Sequence, residues 1–237
     1  SLDVTNSAGT VVLDQSNTLT NVEIDNTGRD ITLINTAATN ISAGGIQGST
    51  VVLNTAGLTQ TGAIAATDLA VTNTAGTVVL DQNNVLGEVG IINTGRDITL
   101  TNTTATNISA FGIEGDTVVF NIANGLTQTG VIVATSLDVT NTVAGNVVLD
   151  QNNDVATVAI TNAVGDVTYT TNRVGSTATA TSTLDGTGVD STVTVTDGGT
   201  NYEPVTTIPV VFSDSPTSDT ATGFATTDSN GAVTSIT

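Results

Sequence analysis

The sequence predicts an all-β protein in which a parallel β-solenoid of about eight coils is followed by a small antiparallel β domain. Three observations support this prediction: a long internal repeat, a shorter regular spacing inside it, and a composition rich in strand-forming and turn-forming residues. Valine, isoleucine and threonine favour strands, and glycine, asparagine and aspartate mark the turns between them. No segment shows the periodicity of an amphipathic helix.

The long repeat occurs almost three times, so that Leu2 corresponds to Leu69 and then to Leu137. Residues 1–54 and 68–121 are identical at 39 of 54 positions, and both copies continue into the phrase GLTQTG, at 57–62 and 125–130. A third copy begins at Ser136, carries one additional residue and fades after about residue 174. Such repeats are typical of solenoids, in which each unit packs against its neighbours. We therefore assign residues 1–174 to the solenoid and 175–237 to a separate C-terminal β domain.

Inside the long repeat, a strand-like triplet recurs at a spacing of about 20 residues, which suits one coil of a solenoid. Longer steps separate Leu53 from Leu80 and Phe120 from Leu149. The apolar residue two positions before each triplet end shares its strand face, because side chains alternate along a strand. Each coil adds about 4.8 Å along the axis, so like residues are expected to stack in columns. The triplet ends are Leu13, Leu33, Leu53, Leu80, Leu100, Phe120, Leu149 and Tyr169.

Polar residues recur in the same frame. Asparagines seven residues before several triplet ends are expected to form hydrogen-bonded ladders at the corners. Aspartates directly after the inward leucine of each first coil are expected to form an outward acidic column. The longer steps, which contain GLTQTG, are expected to add a bulge or an extended side on one face every third coil. The asparagines are Asn6, Asn26, Asn73, Asn93 and Asn162, and the aspartates are Asp14, Asp81 and Asp150.

The phrase NTGRDITL, at 26–33 and 93–100, is expected to form a corner followed by an inward strand. Gly28 and Gly95 suit a turn that needs positive φ. Arg29 and Arg96, two of only three basic residues in the chain, are then exposed at the corner. They are either solvated beside carboxylates of neighbouring coils or form a column that contacts an acidic partner. The third copy reads NAVGDVTY and lacks the arginine.

Several phrases in residues 1–174 resemble the repeats of filamentous-haemagglutinin-like exoproteins, which are large bacterial surface proteins exported by two-partner secretion or related routes. These phrases are GDTVVF, NISAGGIQGSTVVLNTAGLTQTGAI and LDVTNTVAGNVVLDQNN. The resemblance implies a right-handed parallel β-helix, a location at the cell surface and a role in adhesion or cell–cell contact. The amino-terminal secretion and capping domain of that family has no counterpart in this sequence.

Composition changes near residue 175, and five strand candidates follow, at 176–183, 190–197, 206–213, 219–227 and 231–237. Acidic residues lie in or beside the intervening turns. Calcium prefers several oxygen ligands and is the expected cofactor of this domain. The alternative is that each carboxylate caps its own turn, and neither an EF-hand spacing nor a calcium-binding nonapeptide is present. The candidate calcium ligands are Asp185, Asp190, Asp197, Glu203, Asp214, Asp219 and Asp228.

Composition also narrows the function. The chain has a formal net charge of −19 and no histidine, cysteine or lysine. It therefore lacks the usual general bases and nucleophiles, and we expect no enzyme, although paired carboxylates can hydrolyse a glycoside in principle. The negative charge repels nucleic acid and anionic lipid, and no apolar run is long enough for a membrane span.

Two functions remain. The first is an extracellular structural subunit of a filament, sheath or surface layer, a homo-polymer joined head-to-tail through its solenoid ends and its C-terminal strand. The repeating strand pattern begins at Leu2 with no amphipathic capping segment before it. Either the chain is an excerpt of a longer solenoid, or loops cap its ends, or another molecule covers this end, and the last alternative gives the filament. The second is a stalk or binding segment of a large cell-surface adhesin, in which the C-terminal domain or the GLTQTG bulges recognise glycans or other cells.

Overall fold

The computed structural model describes residues 1–171, 178–184, 190–200, 202, 206–211, 222–229 and 231–237. The chain divides into two compact units, Ser1–Asn172 and Arg173–Thr237. The described residues form strands, turns and bends, with no helix among them. The first unit is a parallel β-solenoid of about eight coils, and the strands of the second unit pair antiparallel, as predicted.

Among the described residues, sixteen strands build the solenoid and five lie in the second unit. The solenoid strands are β1 (Leu2–Thr5), β2 (Val11–Asn17), β3 (Asn21–Asp25), β4 (Ile31–Asn35), β5 (Thr39–Gln47), β6 (Thr50–Thr55), β7 (Leu58–Gln60), β8 (Ile64–Asn73), β9 (Val78–Ile92), β10 (Ile98–Asn102), β11 (Thr106–Glu114), β12 (Thr117–Ile122), β13 (Leu126–Gln128), β14 (Ile132–Ala144), β15 (Val147–Val164) and β16 (Val167–Thr171). The second unit contains β17 (Thr179–Leu184), β18 (Asp190–Asp197), β19 (Thr207–Val211), β20 (Thr222–Thr227) and β21 (Val233–Ile236).

The predicted columns form. Leu13 is registered with Leu33, and Leu33 with Leu53, on strands β2, β4 and β6. Leu33 and Leu53 are each 1% exposed, and Leu13, in the first coil, is half-buried against the same core. Alternation along each strand sends the next residues outward, so one face of every strand lines a continuous aliphatic interior.

The predicted long coils do not exist. Leu53 is registered with Val71, and Leu80 is not its partner. The sequence separation between registered partners on adjacent coils varies little. It is smallest for pairs such as Ile46 and Ile64 and largest for pairs such as Ile24 and Ile46. Every coil therefore holds about 20 residues. The additional residues between Leu53 and Leu80 form about one side of a regular coil, and they do not form a bulge.

This absorption shifts the second repeat and places equivalent phrases of the two repeats on different sides of the solenoid. Val78 of the second repeat stacks on Leu58. The column that begins with Leu13, Leu33 and Leu53 continues through Val71, Ile91 and Ile113, and a second column joins Leu80, Leu100, Phe120 and Val139. Each column remains aliphatic or aromatic because all of these side chains alternate inward, whatever phrase they come from. One long repeat thus corresponds to three coils and about one further side.

The asparagine ladders are confirmed, but as short pairs at different corners. Asn6 Nδ2 donates to Asn26 Oδ1 at 2.8 Å, and Asn73 Nδ2 donates to Asn93 Oδ1 at 2.8 Å. Asn162 accepts the same bond from an asparagine that the sequence pattern does not include, Asn141. Asn26 and Asn93 are fully buried, so each amide also satisfies backbone carbonyl groups in its own turn. The ladders are interrupted because the repeats change side.

The described part of the second unit contains two antiparallel sheets. Strands β17 and β18 form one pair, and β19, β20 and β21 form a three-stranded sheet. The backbone N–H of Val233 donates to Gly198 O at 2.8 Å and links the end of β18 to the start of β21. Parts of the predicted strands 176–183, 206–213 and 219–227 lie outside the described residues, and the described parts of these segments are mainly extended.

Candidate functional site

Each long repeat forms one distinctive corner, at the sequence SAGG in the first copy and SAFG in the second. The strand register shifts there, between Val22/Ile41 and Ile24/Ile46 in the first copy and between Ile108 and Ile113 in the second. Gly45 and Gly112 turn the chain with φ of 79° and 78°. An added Cβ at Gly112 would lie 2.8 Å from the carbonyl oxygen of Val131 on the next coil, so backbone meets backbone at this corner.

At each corner a large side chain on one coil lies against a glycine on the adjacent coil, and the two corners differ in which coil carries the large residue. In the first repeat, Glu23 places its carboxylate against Gly44, whose N–H donates to Glu23 Oε2 at 3.2 Å. In the second repeat, Gly90 replaces the glutamate and Phe111 replaces the glycine. An added Cβ at Gly90 would lie 2.6 Å from Phe111 Cβ, so the phenylalanine occupies the space above that glycine. One large and one small residue are therefore paired at both corners, in opposite order.

The second corner is apolar where the first is not. Phe111, Val131 and Val133 are 48%, 44% and 40% exposed, and we call these three residues the Phe111 patch. The first repeat has Gly44, Ala63 and Ala65 at the corresponding positions. This patch was not predicted from the sequence. It was detectable by asking where the two copies differ, because the differences cluster at residues that the fold brings to one corner.

Two shallow grooves on the described solenoid surface have uncharged linings in which hydroxyl and amide groups lie among apolar groups. The first, of about 380 Å³, is lined by the polar residues Thr27, Gln47, Ser49 and Thr67 and by apolar residues that include Ala65 and Val85. Thr27 Oγ1 donates to Asp25 Oδ1 at 2.8 Å at its edge. The second, of about 300 Å³, is lined by threonine and asparagine side chains over glycine and alanine: Thr106, Asn107, Asn124, Thr127 and Asn146. Hydroxyl and amide groups in this arrangement can hydrogen-bond a neutral polar ligand.

The GLTQTG phrase lies in the coil wall and does not project. Leu58 is fully buried, and Gln60 is 6% exposed. The Gln60 and Asn84 amides bond each other reciprocally at 3.0 Å, and Gln60 Nε2 also donates to Gly62 O at 2.7 Å. Gln128 makes the same bonds to Asn153 in the second repeat. The expectation that GLTQTG forms a bulge is therefore wrong, because Leu58 and Gln60 are held inside the wall, and contact of this phrase with glycans stays a prediction.

The predicted acidic column does not form. The leucines before Asp14, Asp81 and Asp150 belong to different columns, since Leu13 is registered with Leu33, Leu80 with Leu100 and Leu149 with Tyr169. Each of the three aspartates accepts a hydrogen bond from the glutamine that follows it. These carboxylates are therefore separate surface groups, as the change of side between the repeats requires.

The two arginines also occupy different columns. Arg29 and Arg96 are exposed at their corners, as expected, and Gly28 and Gly95 there have φ of 73° and 66°. The backbone carbonyl of Arg29 accepts from Ser49 N–H, and that of Arg96 accepts from Asp116 N–H. Each guanidinium donates to a carbonyl two residues earlier, at 3.3 Å and 3.1 Å respectively. A continuous arginine column facing a partner is therefore excluded, because the second repeat is shifted by about one side.

The candidate calcium ligands are only partly described. Asp197 Oδ1 accepts from Gly199 N–H at 2.9 Å, and Asp228 Oδ1 accepts from Ala232 N–H at 3.0 Å, so both carboxylates cap their turns. Asp190 begins β18, but its side chain lies outside the described residues, as do Asp185, Glu203, Asp214 and Asp219. Within the described part of the chain, no three acidic residues converge as a metal site would require. Calcium binding stays a prediction.

Comparison with known proteins adds no relative: no family model, no curated protein and no solved structure matches the chain. Over the residues that the structure describes, no helix has the length and apolar character needed to span a membrane. The function therefore has to be argued from the surfaces themselves.

Proposed function

We propose that this chain is an extracellular structural protein, a β-solenoid subunit of a surface filament, sheath or layer that self-associates through the ends of its solenoid. The observation that carries the proposal is the stack of about eight parallel coils around one aliphatic interior, an architecture that lengthens by the addition of further coils. Among the described strands, β1 pairs only with β3 and β2 only with β4. Their other edges offer backbone N–H and C=O groups to a further parallel strand.

The core of the first coil is also incompletely covered. Val22, Ile24 and Leu33 in the second coil are at most 1% exposed. Their counterparts in the first coil, Leu2, Val4 and Leu13, are only partly buried, as is Leu19. A further parallel coil, which a second chain could supply, would cover these side chains and contribute about 1 kcal/mol for each half-exposed aliphatic residue. Pairing of unlike ends is heterologous and generates open filaments.

The charge of the surface favours association at the ends of the solenoid over lateral association. A net charge of −19 keeps subunits apart laterally, so association is directed to the ends, where the core is exposed. The solenoid is held by backbone pairing and buried amide ladders and needs no disulfide, in keeping with a chain without cysteine. Calcium would act in the C-terminal unit, whose candidate ligands include the turn aspartates Asp197 and Asp228.

Electron microscopy of the purified 237-residue chain tests the proposal, in the presence of calcium and of a chelator. We expect fibres with a regular axial repeat. The double substitution Val4→Asp and Leu13→Asp places charge on the open core and should abolish the fibres. Val85→Asp is the matched control, because Val85 is 49% exposed in the middle of the solenoid. Circular dichroism must show that all variants remain folded. Single particles at every concentration, in folded protein, would refute end-to-end assembly.

The second candidate is a binding segment of a cell-surface adhesin, and the two neutral grooves favour it. Their hydroxyl and amide linings suit neutral glycans in an otherwise acidic surface. A glycan array probed with the whole chain tests this function. The second repeat offers matched changes, since it has Glu114 and Asp116 in place of Gln47 and Ser49. Binding that is lost in Gln47→Glu with Ser49→Asp supports the first groove, and an array without hits refutes this candidate.

A further inference from the structure

We infer that the Phe111 patch is a docking surface for a basic, amphipathic segment of another protein, one that presents apolar side chains flanked by lysine or arginine. This inference concerns the side of the solenoid and does not depend on end-to-end assembly. It rests on three observations: the exposure of the patch, the acidic residues registered with Val133, and the smaller residues at the patch positions in the first repeat.

The patch is built into the fold and is held in place. Phe111 lies over Gly90, where any side chain would collide with it, so its ring is supported from below and leaves 48% of its surface to solvent. Val131 lies on the next coil, where its backbone contacts Gly112. Val133 follows it by two residues and points to the same side. Aliphatic and aromatic groups clustered this way on a strongly charged surface are characteristic of interaction sites.

Acidic residues border the patch on the coils before and after that of Val133. In one outward row, Ile92 is registered with Glu114, Glu114 with Val133, and Val133 with Asp154. The row therefore alternates between apolar and acidic side chains at the spacing of adjacent coils. Glu88 precedes Gly90 by two residues on the same strand. Arg96 is the single cation in the sequence of the second repeat, so the charge around the patch is predominantly negative.

The first repeat shows that the fold does not require these residues. The corresponding row there reads Asp25, Gln47, Ala65 and Val85, with Gly44 at the corner. The second repeat has thus gained bulk at the three patch positions and a carboxylate at position 114, has lost the carboxylates of Glu23 and Asp25, and keeps the same backbone path. An apolar centre with an acidic border matches a partner with apolar groups and flanking cations. A second copy of this chain is a poor match, since it has three basic residues in 237.

The test uses the whole chain and a fluorescent synthetic peptide that alternates leucine and lysine, with binding followed by anisotropy at several salt concentrations. The triple substitution Phe111→Gly, Val131→Ala and Val133→Ala installs the first-repeat residues and leaves the net charge unchanged. We expect the dissociation constant to rise about tenfold or more. Val12→Ala is the control, since Val12 is 55% exposed far along the chain from the patch. Glu114→Gln should reduce the salt dependence of binding.

Several results would overturn the inference. Equal peptide affinity of the triple variant and the parent chain would mean that attraction is purely electrostatic and distributed over the surface. An unchanged salt dependence in Glu114→Gln would remove the acidic border from the argument. Self-association that the triple variant abolishes, measured by analytical ultracentrifugation without peptide, would show that the patch serves a second copy. Loss of peptide binding in the triple variant together with retained fibres would support the inference and leave the end-to-end proposal intact.

Discussion

Replacing Gly62 by alanine should destabilise the solenoid strongly, because two coils touch through their backbones at this residue. An added Cβ would overlap the carbonyl oxygen of Ser42 and lie 2.7 Å from the carbonyl carbon of Ala43. Restoring ordinary contact requires the backbone at Ser42 to move by more than about 1 Å. That movement opposes two hydrogen bonds to Ile41 O, from Thr61 N at 2.7 Å and from Gly62 N at 3.2 Å.

The magnitude follows from these contacts. Overpacking in a rigid interior costs about 1–3 kcal/mol, and each weakened backbone bond adds about 1 kcal/mol. We therefore expect Gly62→Ala to lower the free energy of unfolding by about 3 kcal/mol. Gly28→Ala is the control, because Gly28 has φ of 73° but no atom within 4 Å of an added Cβ, and it should cost about 1 kcal/mol.

Urea unfolding followed by far-ultraviolet circular dichroism measures both effects. The second repeat provides an independent copy of the experiment. An added Cβ at Gly130 would overlap the carbonyl oxygen of Ser109, so Gly130→Ala should resemble Gly62→Ala. If Gly62→Ala proves no more destabilising than Gly28→Ala, the close approach of the coils at GLTQTG is not a constraint on the fold, and the reasoning fails.

Two further predictions test the pairing of a large residue with a glycine at each corner and the shift of the second repeat to another side of the solenoid. Gly44→Phe and Glu23→Gly should each destabilise the solenoid alone, whereas the double substitution, which copies the second repeat, should recover about 1 kcal/mol or more in a double-mutant cycle of urea unfolding. Because the chain has no cysteine, Val52→Cys with Ala70→Cys should form a disulfide under mild oxidation, since the two residues are registered neighbours. Val52→Cys with Val79→Cys should not, and a disulfide there by mass spectrometry would restore the rejected long coil.

Much of the fold could be predicted from the sequence because inward apolar residues and outward residues alternate simply along each strand. A repeat of about 20 residues with apolar groups at positions such as Ile31 and Leu33 predicts stacked coils. The column of Leu13, Leu33 and Leu53 is where the pattern placed it. The buried asparagines were also predictable, since an amide that recurs beside a corner can satisfy both its neighbour and its own turn.

The path of the chain between Leu53 and Leu80 could not be predicted by matching phrases, because the identical triplets that end at these residues suggest that both leucines occupy the same position in successive coils. The physical constraint is different: a coil closes wherever inward apolar groups are spaced to meet the coil below. Leu58, Ile64 and Leu69 continue the alternation through the additional residues and are each at most 1% exposed. They supply a complete coil wall, so the chain has no segment left over to form a bulge. Calcium binding by the turn carboxylates could not be predicted in the same way, because a carboxylate in a turn also accepts hydrogen bonds from the backbone of that turn.

The change of side has a consequence for function. The first corner lies over Val22 and Ile24, whereas the second lies over Val89 and Ile91, and Ile91 continues the column of Leu53. Two copies of one sequence therefore present their corners on different sides of the same solenoid. The interior has to stay alike in the copies because every coil must fit the next, but the corners are free to diverge, and Gly44 and Phe111 show that they have. A partner that recognises the second corner consequently meets one side of the solenoid and not the others.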